Sequence, residues 1–240
     1  MNKHVPPEQL GEARGPAASR GRLVHRWHVD EREYRRHELR RGRLHAYETL
    51  DPRRVALVVV DMIEFFVVDN PYCAGIVPTI DALADAVRSS GGLVAWVIPR
   101  DDDPTGWQVE FFGPTVASRY ARSGGGNAPR ERLWSELRIG EGDVVVEKSA
   151  PSAFFPGRCS LHEVLAGRSI DTVLVTGTVA NVCCESTARD AATLGYKVVM
   201  VADANAARRD EDLNATLHTI YRSFGDVRSA GEVIDLLHGA

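Results

Sequence analysis

The sequence predicts an α/β fold, a doubly wound and mostly parallel sheet flanked by helices in three layers. Two observations predict it. From residue 51 onward, apolar runs of strand length alternate with segments of helical periodicity, which is the pattern of successive βαβ units. A chain of 240 residues with 44% hydrophobic content can also bury one full core. We therefore expect one domain over residues 51–240, preceded by an extension over residues 1–50.

The N-terminal extension differs in composition from the rest of the chain. Residues 1–20 are rich in Pro, Gly, Ala and Arg and show no periodicity, which indicates a mobile arm. Residues 21–50 are strongly charged, and their scattered large apolar side chains, such as Trp27, Tyr34 and Tyr47, are too few to form a core. We expect this segment to wrap the domain or a neighbouring subunit, and hence expect a homo-oligomer, either a dimer or a tetramer.

Five strands and six helices are predicted from the apolar patterns. The strands are expected near residues 55–60, 93–98, 143–147, 172–176 and 197–202. The helices are expected near residues 77–90, 129–138, 160–167, 182–195, 210–223 and 229–238. In the first helix, Ile80, Leu83, Ala84 and Val87 recur at a spacing that places them on one face.

The long segment between Pro99 and Gly126 follows the second strand and carries three aromatic side chains, Trp107, Phe111 and Phe112. Loops of this length in a compact domain are usually functional or disordered. Because the segment begins at a strand end, we expect a lid or a pocket wall. A contact between subunits is an equally good interpretation, because exposed aromatic residues also mark interfaces.

Composition argues against several classes of partner. A net charge of -4 gives no reason to expect nucleic acid. The longest apolar runs are far too short to span a bilayer, and the N terminus lacks the apolar stretch of a signal peptide, so we expect a cytoplasmic protein without a membrane partner. No G-x-G-x-x-G follows the first strand and no G-x-x-x-x-G-K-[ST] occurs, so we expect no nucleotide cofactor.

The four cysteines, Cys73, Cys159, Cys183 and Cys184, are expected to be reduced thiols rather than a disulfide framework. The adjacent pair lacks a second Cys or His pair at a plausible ligand spacing, so no metal site built on thiols is expected.

Three reactive side chains lie where predicted strands end. V-A-L-V-V-V-D ends on Asp61, V-V-V-E-K ends on Lys148, and T-V-L-V leads through a turn to a helix that begins near Cys183. The carboxyl ends of strands in an open parallel sheet face one crevice, so we expect the three side chains to converge. Unpaired N–H groups and the helix dipole at a helix N terminus favour a thiolate, and we expect this of Cys183.

Taken singly, each of these residues has a commoner structural use. An aspartate at a strand end often caps a helix or a turn. A lone lysine there is usually a surface charge, and a cysteine at the start of a buried helix is usually a small core residue. Only the three together favour catalysis.

Three motifs at these strand ends carry a resemblance to a known family. They are D-M-I-E-F-F over residues 61–66, K-S-A-P-S-A-F-F over residues 148–155, and G-T-V-A-N-V-C-C-E-S-T-A-R-D-A over residues 177–191. Over roughly residues 51–240 the chain resembles the isochorismatase-like cysteine hydrolases, which include nicotinamidase, N-carbamoylsarcosine amidohydrolase and ureidoacrylate amidohydrolase. The resemblance implies the Rossmann-like, three-layer α/β fold of that family.

The resemblance implies a catalytic triad of Asp61, Lys148 and Cys183. It also implies a cis peptide bond between Thr178 and Val179, and an oxyanion hole formed by the N–H groups of Val179 and Cys183. The activity it implies is a cysteine amidohydrolase, which cleaves a C–N bond of a small amide, ureide or carbamoyl compound through a thioester intermediate.

Two aromatic residues are expected to bind the substrate. Phe66 falls where relatives place an aromatic side chain that packs on the substrate. Trp107 is the candidate that the long segment provides, as part of a pocket wall. The sequence does not identify the substrate itself.

Departures from the family pattern narrow the activity. The nicotinamidase branch has an Asp-x-His-x-His metal cluster after its aspartate, whereas all eight histidines here lie before residue 46 or after residue 161, so we expect no metal. Isochorismatase proper lacks the cysteine and cleaves a vinyl ether, and Cys183 argues against that chemistry. The alternatives are a nicotinamidase-like hydrolase of an aromatic amide and a non-catalytic binding or assembly member of the fold.

Overall fold

The computed structural model describes residues 21–239, and six parallel strands form its central sheet. The strands are β1 (Val55–Val60), β2 (Leu93–Pro99), β3 (Val144–Lys148), β4 (Thr172–Thr178), β5 (Lys197–Ala206) and β6 (Asp226–Arg228). Their order across the sheet is β3-β2-β1-β4-β5-β6, and each neighbouring pair is parallel. β1 and β4 are buried along their whole length, as expected for central strands covered on both faces.

Helices cover both faces of the sheet. They are α1 (Glu31–Arg41), α2 (Glu64–Val67), α3 (Pro71–Ser89), α4 (Gly106–Phe112), α5 (Pro114–Ala121), α6 (Leu161–Ala166), α7 (Glu185–Thr193), α8 (Asp210–Ser223) and α9 (Ala230–His238). The apolar side chains of α3 and α9 belong to one core cluster, and those of α6, α7 and α8 belong to the other. The predicted doubly wound, parallel α/β fold is confirmed. Within the described residues, no helix combines the length and the apolar composition needed to cross a membrane.

The prediction of a helix over residues 129–138 is wrong. Residues Pro129–Arg132 form only a short 3-10 turn, and the chain then pairs with the segment after β1. Leu133 forms an isolated antiparallel bridge with Ile63, and the Trp134 N–H donates to the Met62 carbonyl at 2.9 Å. These backbone hydrogen bonds with a distant segment replace the helix that the local apolar spacing predicts.

Several other element boundaries also differ from prediction. α3 begins at Pro71 rather than residue 77, because Asn70 caps it by accepting the Tyr72 N–H, and Pro78 lies inside the helix. The helix predicted over residues 182–195 begins as a π-helical turn. The short strand β6 and the helix α1 were not predicted, and α4 and α5 form within the long segment that follows β2.

Residues 21–50 pack on their own chain. Trp27 and Tyr34 lie against one core cluster and Tyr47 against the other. The Tyr221 hydroxyl donates to the Leu44 carbonyl at 2.6 Å. Residues 21–50 were expected to wrap either their own domain or a neighbouring subunit, and the structure shows the contact with their own domain. A homo-oligomer whose interface includes this segment stays a proposal. The arm predicted over residues 1–20 lies outside the described residues.

Candidate active site

Asp61, Lys148 and Cys183 lie together at the carboxyl edge of the sheet. Lys148 Nζ lies 2.9 Å from Asp61 Oδ2 and 3.5 Å from Cys183 Sγ, to which it donates. All three residues are buried, and Asp61 is 0% exposed. One ammonium group therefore contacts both a carboxylate and a thiol in a buried site.

The chain turns sharply at Asp61, directly after β1. Its φ of +55° lies in the left-handed region, which few residues other than glycine adopt. Its N–H donates to the Val97 carbonyl of β2 at 2.8 Å, and its carbonyl accepts the Ile63 N–H at 2.9 Å. These bonds hold a backbone conformation that is costly elsewhere and that clusters at functional sites.

The turn after β4 depends on Gly177, whose φ is +109°. A Cβ at this position would lie 2.1 Å from the Val60 carbonyl oxygen of β1. Only glycine therefore lets the end of β4 approach β1 this closely. The next peptide bond, between Thr178 and Val179, is cis, as the resemblance implied.

Cys183 lies in the π-helical turn Ala180–Cys184, which leads into α7. The Val179 carbonyl accepts the N–H groups of Val182 at 3.0 Å and Cys184 at 3.3 Å, but not that of Cys183 between them. Among the described residues, the Val179 N–H has no hydrogen-bond acceptor. The oxyanion hole formed by Val179 and Cys183 stays a prediction, with which these hydrogen bonds are compatible.

Lys148 ends β3, and the loop after it is tied to α7. Lys148 Nζ also donates to the Ala150 carbonyl at 3.2 Å. The Ala153 N–H donates to Thr187 Oγ1 at 3.1 Å. Thr187 lies one helical turn after Cys183. Thr187 is completely buried. Sequence reasoning missed this contribution of Thr187 to the site, because a buried threonine in a helix has no signature of its own.

Burial governs the protonation states in the cluster. Burial, and then the charge of Asp61, raise the pKa of the Cys183 thiol to about 12 against the opposing effect of Lys148. Burial also raises the pKa of Asp61, although Lys148 lowers it. Burial lowers the pKa of Lys148, but the charges of Asp61 and Cys183 and the hydrogen bonds to both together outweigh burial, so the pKa of Lys148 is raised overall. The resting site therefore holds a neutral Cys183 thiol beside the charged ammonium group of Lys148.

The prediction that Lys148 and the helix N terminus favour a Cys183 thiolate is wrong for the resting protein. Desolvation of the buried sulfur and the charge of Asp61 together outweigh one ammonium group. Cys183 also lies near the end of the π-helical turn Ala180–Cys184 rather than at the first residue of a helix. The thiol must therefore lose its proton to a base during the reaction, and the candidate base is Asp61, whose carboxylate shares the Lys148 ammonium group with the thiol.

Cys184 lies in different surroundings from its neighbour. It is 0% exposed, and its sulfur donates to the Thr176 carbonyl of β4 at 3.8 Å. Burial raises the pKa of Cys184 well above its ordinary value. Adjacent helical residues point about 100° apart, so only the Cys183 sulfur contacts Lys148.

The two predicted substrate-binding residues lie in different surroundings. Phe66, in α2, is partly buried and packs edge-on against Phe65, with ring centroids 4.9 Å apart. Trp107, in α4, is 63% exposed and stacks on Phe111, with ring centroids 5.3 Å apart. The structure brings neither residue into the hydrogen-bonded cluster around Cys183, and binding of substrate by either one stays a prediction.

Among residues 21–239, no cluster of three or more His, Cys, Asp or Glu side chains is arranged so that it could hold a metal ion.

Residues 55–232 match the family model of the Isochorismatase domain. A cysteine hydrolase from Pseudomonas syringae pv. phaseolicola has a solved structure that is 32% identical, with a TM-score of 0.70, covering 81% of this chain and 97% of that chain. N-carbamoylsarcosine amidase from Thermoplasma acidophilum is 29% identical, with a TM-score of 0.60, covering 74% of this chain and 96% of that chain.

A curated relative gives a similar match. The ureidoacrylate amidohydrolase RutB of Rhizobium rhizogenes is 28% identical over 213 residues, which is 77% of this chain and 83% of RutB. The residues matched by the domain model begin with β1 and end in α9. They contain Asp61, Lys148 and Cys183, and they leave the N-terminal extension outside.

Proposed function

The chain belongs to the isochorismatase family of hydrolases, and we propose that it is a metal-independent cysteine amidohydrolase. It cleaves a C–N bond of a small amide, ureide or carbamoyl compound through a thioester on Cys183. The observation that carries this proposal is the Lys148 ammonium group, 2.9 Å from Asp61 and 3.5 Å from Cys183. Relatives named as a ureidoacrylate amidohydrolase and an N-carbamoylsarcosine amidase support this substrate class.

The first half of the reaction transfers the acyl group to sulfur. Asp61 accepts the thiol proton while Cys183 Sγ forms a bond to the carbonyl carbon, and the carbonyl electrons move to oxygen. The N–H groups of Val179 and Cys183 stabilise this oxyanion. When the oxyanion collapses, the C–N bond breaks and Asp61 gives its proton to the departing nitrogen. Ammonia or an amine leaves, and a thioester remains.

The second half regenerates the thiol. Asp61 accepts a proton from the water that attacks the thioester carbonyl, and the S–C bond then breaks. The departing sulfur takes the proton back from Asp61, which restores the resting site. Lys148 keeps its charge throughout and stabilises the carboxylate and the transient thiolate in turn. The product is a carboxylic acid, or a carbamic acid when the substrate is a ureide.

The proposed function is tested by measuring release of ammonia or amine from ureides, N-carbamoyl amino acids and aromatic amides under exhaustive chelation. We expect turnover of at least one ureide or carbamoyl compound, unaffected by the chelator, because a thiol nucleophile needs no metal-bound water. The matched control is Asp61→Asn, which keeps the shape of the side chain but cannot act as the base.

Three results would contradict this proposal in different ways. Activity that is lost in chelator and restored by zinc or manganese, but not by calcium, would contradict metal independence. Turnover of aromatic amides alone would favour the nicotinamidase-like alternative. No turnover of any compound, with a Cys183 thiol that titrates at roughly 8.5 like a free thiol, would favour the binding or assembly alternative.

The pH dependence of kcat/KM should follow the ionisation of Asp61. Only the carboxylate form can accept the thiol proton, and burial raises the pKa of Asp61 above 3.8. Activity should therefore fall as the pH drops through this raised pKa. No alkaline rise is expected near 8.5, because the pKa of Cys183 is raised to about 12. The measurement uses a substrate without ionisable groups, from about pH 4 to about pH 10.

The control for this pH profile is circular dichroism over the same range, which separates loss of the base from unfolding. A rise in kcat/KM centred near a pH of roughly 8.5 would show that the reactive species is a thiolate formed before substrate binds. That profile would contradict the assignment of Asp61 as the base.

A further inference from the structure

The N-terminal strap, residues 21–29, lies outside the residues matched by the family model and packs across elements that border the active site. The Leu23 N–H donates to the Pro71 carbonyl, at the start of α3, at 3.1 Å. The His28 N–H donates to Asn214 Oδ1, in α8, at 2.9 Å. The strap therefore connects the N terminus of α3 to α8, past the carboxyl end of β5.

His25 is the buried centre of this strap. It is only 6% exposed, and its ring stacks on Tyr72 at a centroid distance of 3.8 Å. Its Nε2 lies 3.1 Å from the Ala207 nitrogen, and its Nδ1 lies 2.7 Å from Asp210 Oδ1. Because the Ala207 N–H can only donate, Nε2 is the acceptor and Nδ1 carries a proton that it donates to Asp210.

The backbone that His25 holds is bonded directly to the turn of the oxyanion hole. Thr178 Oγ1 donates to the Ala206 carbonyl at 3.3 Å and accepts the Cys73 thiol at 3.1 Å. Thr178 and Ala206 are also register partners at the ends of β4 and β5. Thr178 immediately precedes Val179, whose N–H is predicted to bind the oxyanion.

A second contact fixes the same backbone from the other side. Asn70 Nδ2 donates to the Ala207 carbonyl at 3.1 Å. The peptide group of Ala207 is thus held at its N–H by His25 and at its carbonyl by Asn70. Ala207 is completely buried, so its N–H would lose its acceptor if an apolar side chain replaced the His25 ring. This backbone would then shift to find another acceptor.

We propose that His25 is a positioning residue for catalysis, acting through Ala206 and Ala207 on Thr178 and the Val179 N–H. The inference rests on the proposed function, because it assumes that an oxyanion forms at that N–H. A displacement of about 1 Å of a group that stabilises a transition state can cost about 100-fold in rate. The N-terminal extension thereby helps to position a catalytic group of the active site.

The test compares four variants of the full-length protein. His25→Ala removes the acceptor and the ring, and His25→Phe keeps the stacking on Tyr72 but removes the acceptor. His25→Gln places an amide oxygen near the position of Nε2 and should restore the bond to Ala207. His28→Ala is the matched control, a histidine of the same strap whose side chain is exposed.

The readouts are kcat, KM and the melting temperature, with kinetics measured well below the melting transition. We expect kcat to fall about 10-fold to 100-fold in His25→Ala and His25→Phe, with KM changed less than about 3-fold. His25→Gln and His28→Ala should keep kcat within about 5-fold of the wild type. If His25→Ala does not fold, the comparison of Phe with Gln decides, because both fill the volume of the ring.

A structural role alone would lower the melting temperature and leave kcat of the folded protein unchanged in every variant, which would overturn this inference. Equal loss of kcat in His25→Gln and His25→Phe would also overturn it, because the acceptor would then be irrelevant. A wild-type protein without amidohydrolase activity would remove the proposed function, and this inference with it. An active wild type with unaffected His25 variants would overturn this inference only.

Discussion

Replacing Cys183 with alanine is expected to reduce turnover by a factor of about 10⁴ or more, because the proposed mechanism forms its acyl intermediate on this sulfur. Lys148 Nζ donates to this sulfur at 3.5 Å and lies 2.9 Å from Asp61 Oδ2. The substitution removes one buried sulfur atom and leaves the carboxylate and ammonium pair in place. The measurement is steady-state turnover of the substrate identified by the panel, with the melting temperature recorded for each variant.

Cys184→Val is the matched control for this prediction. Cys184 is fully buried against β4, so a small apolar replacement should cost less than about 1.5 kcal/mol of stability and leave most activity in place. An active Cys183→Ala protein together with an inactive but folded Cys184→Val protein would reverse the assignment of the nucleophile.

Lys148→Arg is expected to lower kcat by about 100-fold or more, although the positive charge is retained. Lys148 is 4% exposed, and its ammonium group lies 2.9 Å from Asp61 Oδ2 and 3.5 Å from Cys183 Sγ. A planar guanidinium is larger and cannot occupy this position without displacing one of the two reacting groups. The measurement is kcat with saturating substrate, compared with the wild type.

Lys197→Arg is the control for the lysine substitution. Lys197 is an exposed lysine at the opposite end of β5, paired with Asp171 at 3.7 Å, and its replacement should leave kcat unchanged. Near-normal turnover in Lys148→Arg would show that Lys148 supplies only a distant positive charge. The mechanism would then need another group to stabilise the transient thiolate.

The sheet was largely predictable from the sequence, because strands buried on both faces appear as continuous apolar runs. The residues at which individual strands end were less predictable. β5 continues to Ala206, beyond the predicted end at residue 202, through a segment containing Asn205. The Asn205 side-chain nitrogen donates to the carbonyls of Val175 and Val201 at 2.9 and 2.7 Å, so both N–H groups of this amide are bonded inside the sheet. One of these two hydrogen-bond acceptors, Val175, belongs to the neighbouring strand β4, so the sequence around Asn205 gives no sign of it.

The positions of the three clustered residues followed from the rule that parallel strands share a carboxyl edge. The charge state of Cys183 did not, because it depends on how completely the folded chain removes water from the sulfur and on the charge of Asp61. The contact of His25 with Asp210 joins residues 185 positions apart. Such long-range contacts are fixed by packing of the whole chain and cannot be predicted from the spacing of residues within a motif.

The most direct test of the central claim, covalent catalysis by Cys183, is mass spectrometry of enzyme quenched in acid during turnover. Peptide mapping should show the mass of the substrate acyl group on the peptide that carries Cys183 and Cys184, and fragmentation should assign it to Cys183. The adduct should be absent from Cys183→Ala and present in Cys184→Val. Rapid turnover without any adduct, in a protein whose Cys183→Ala variant is also active, would contradict the claim.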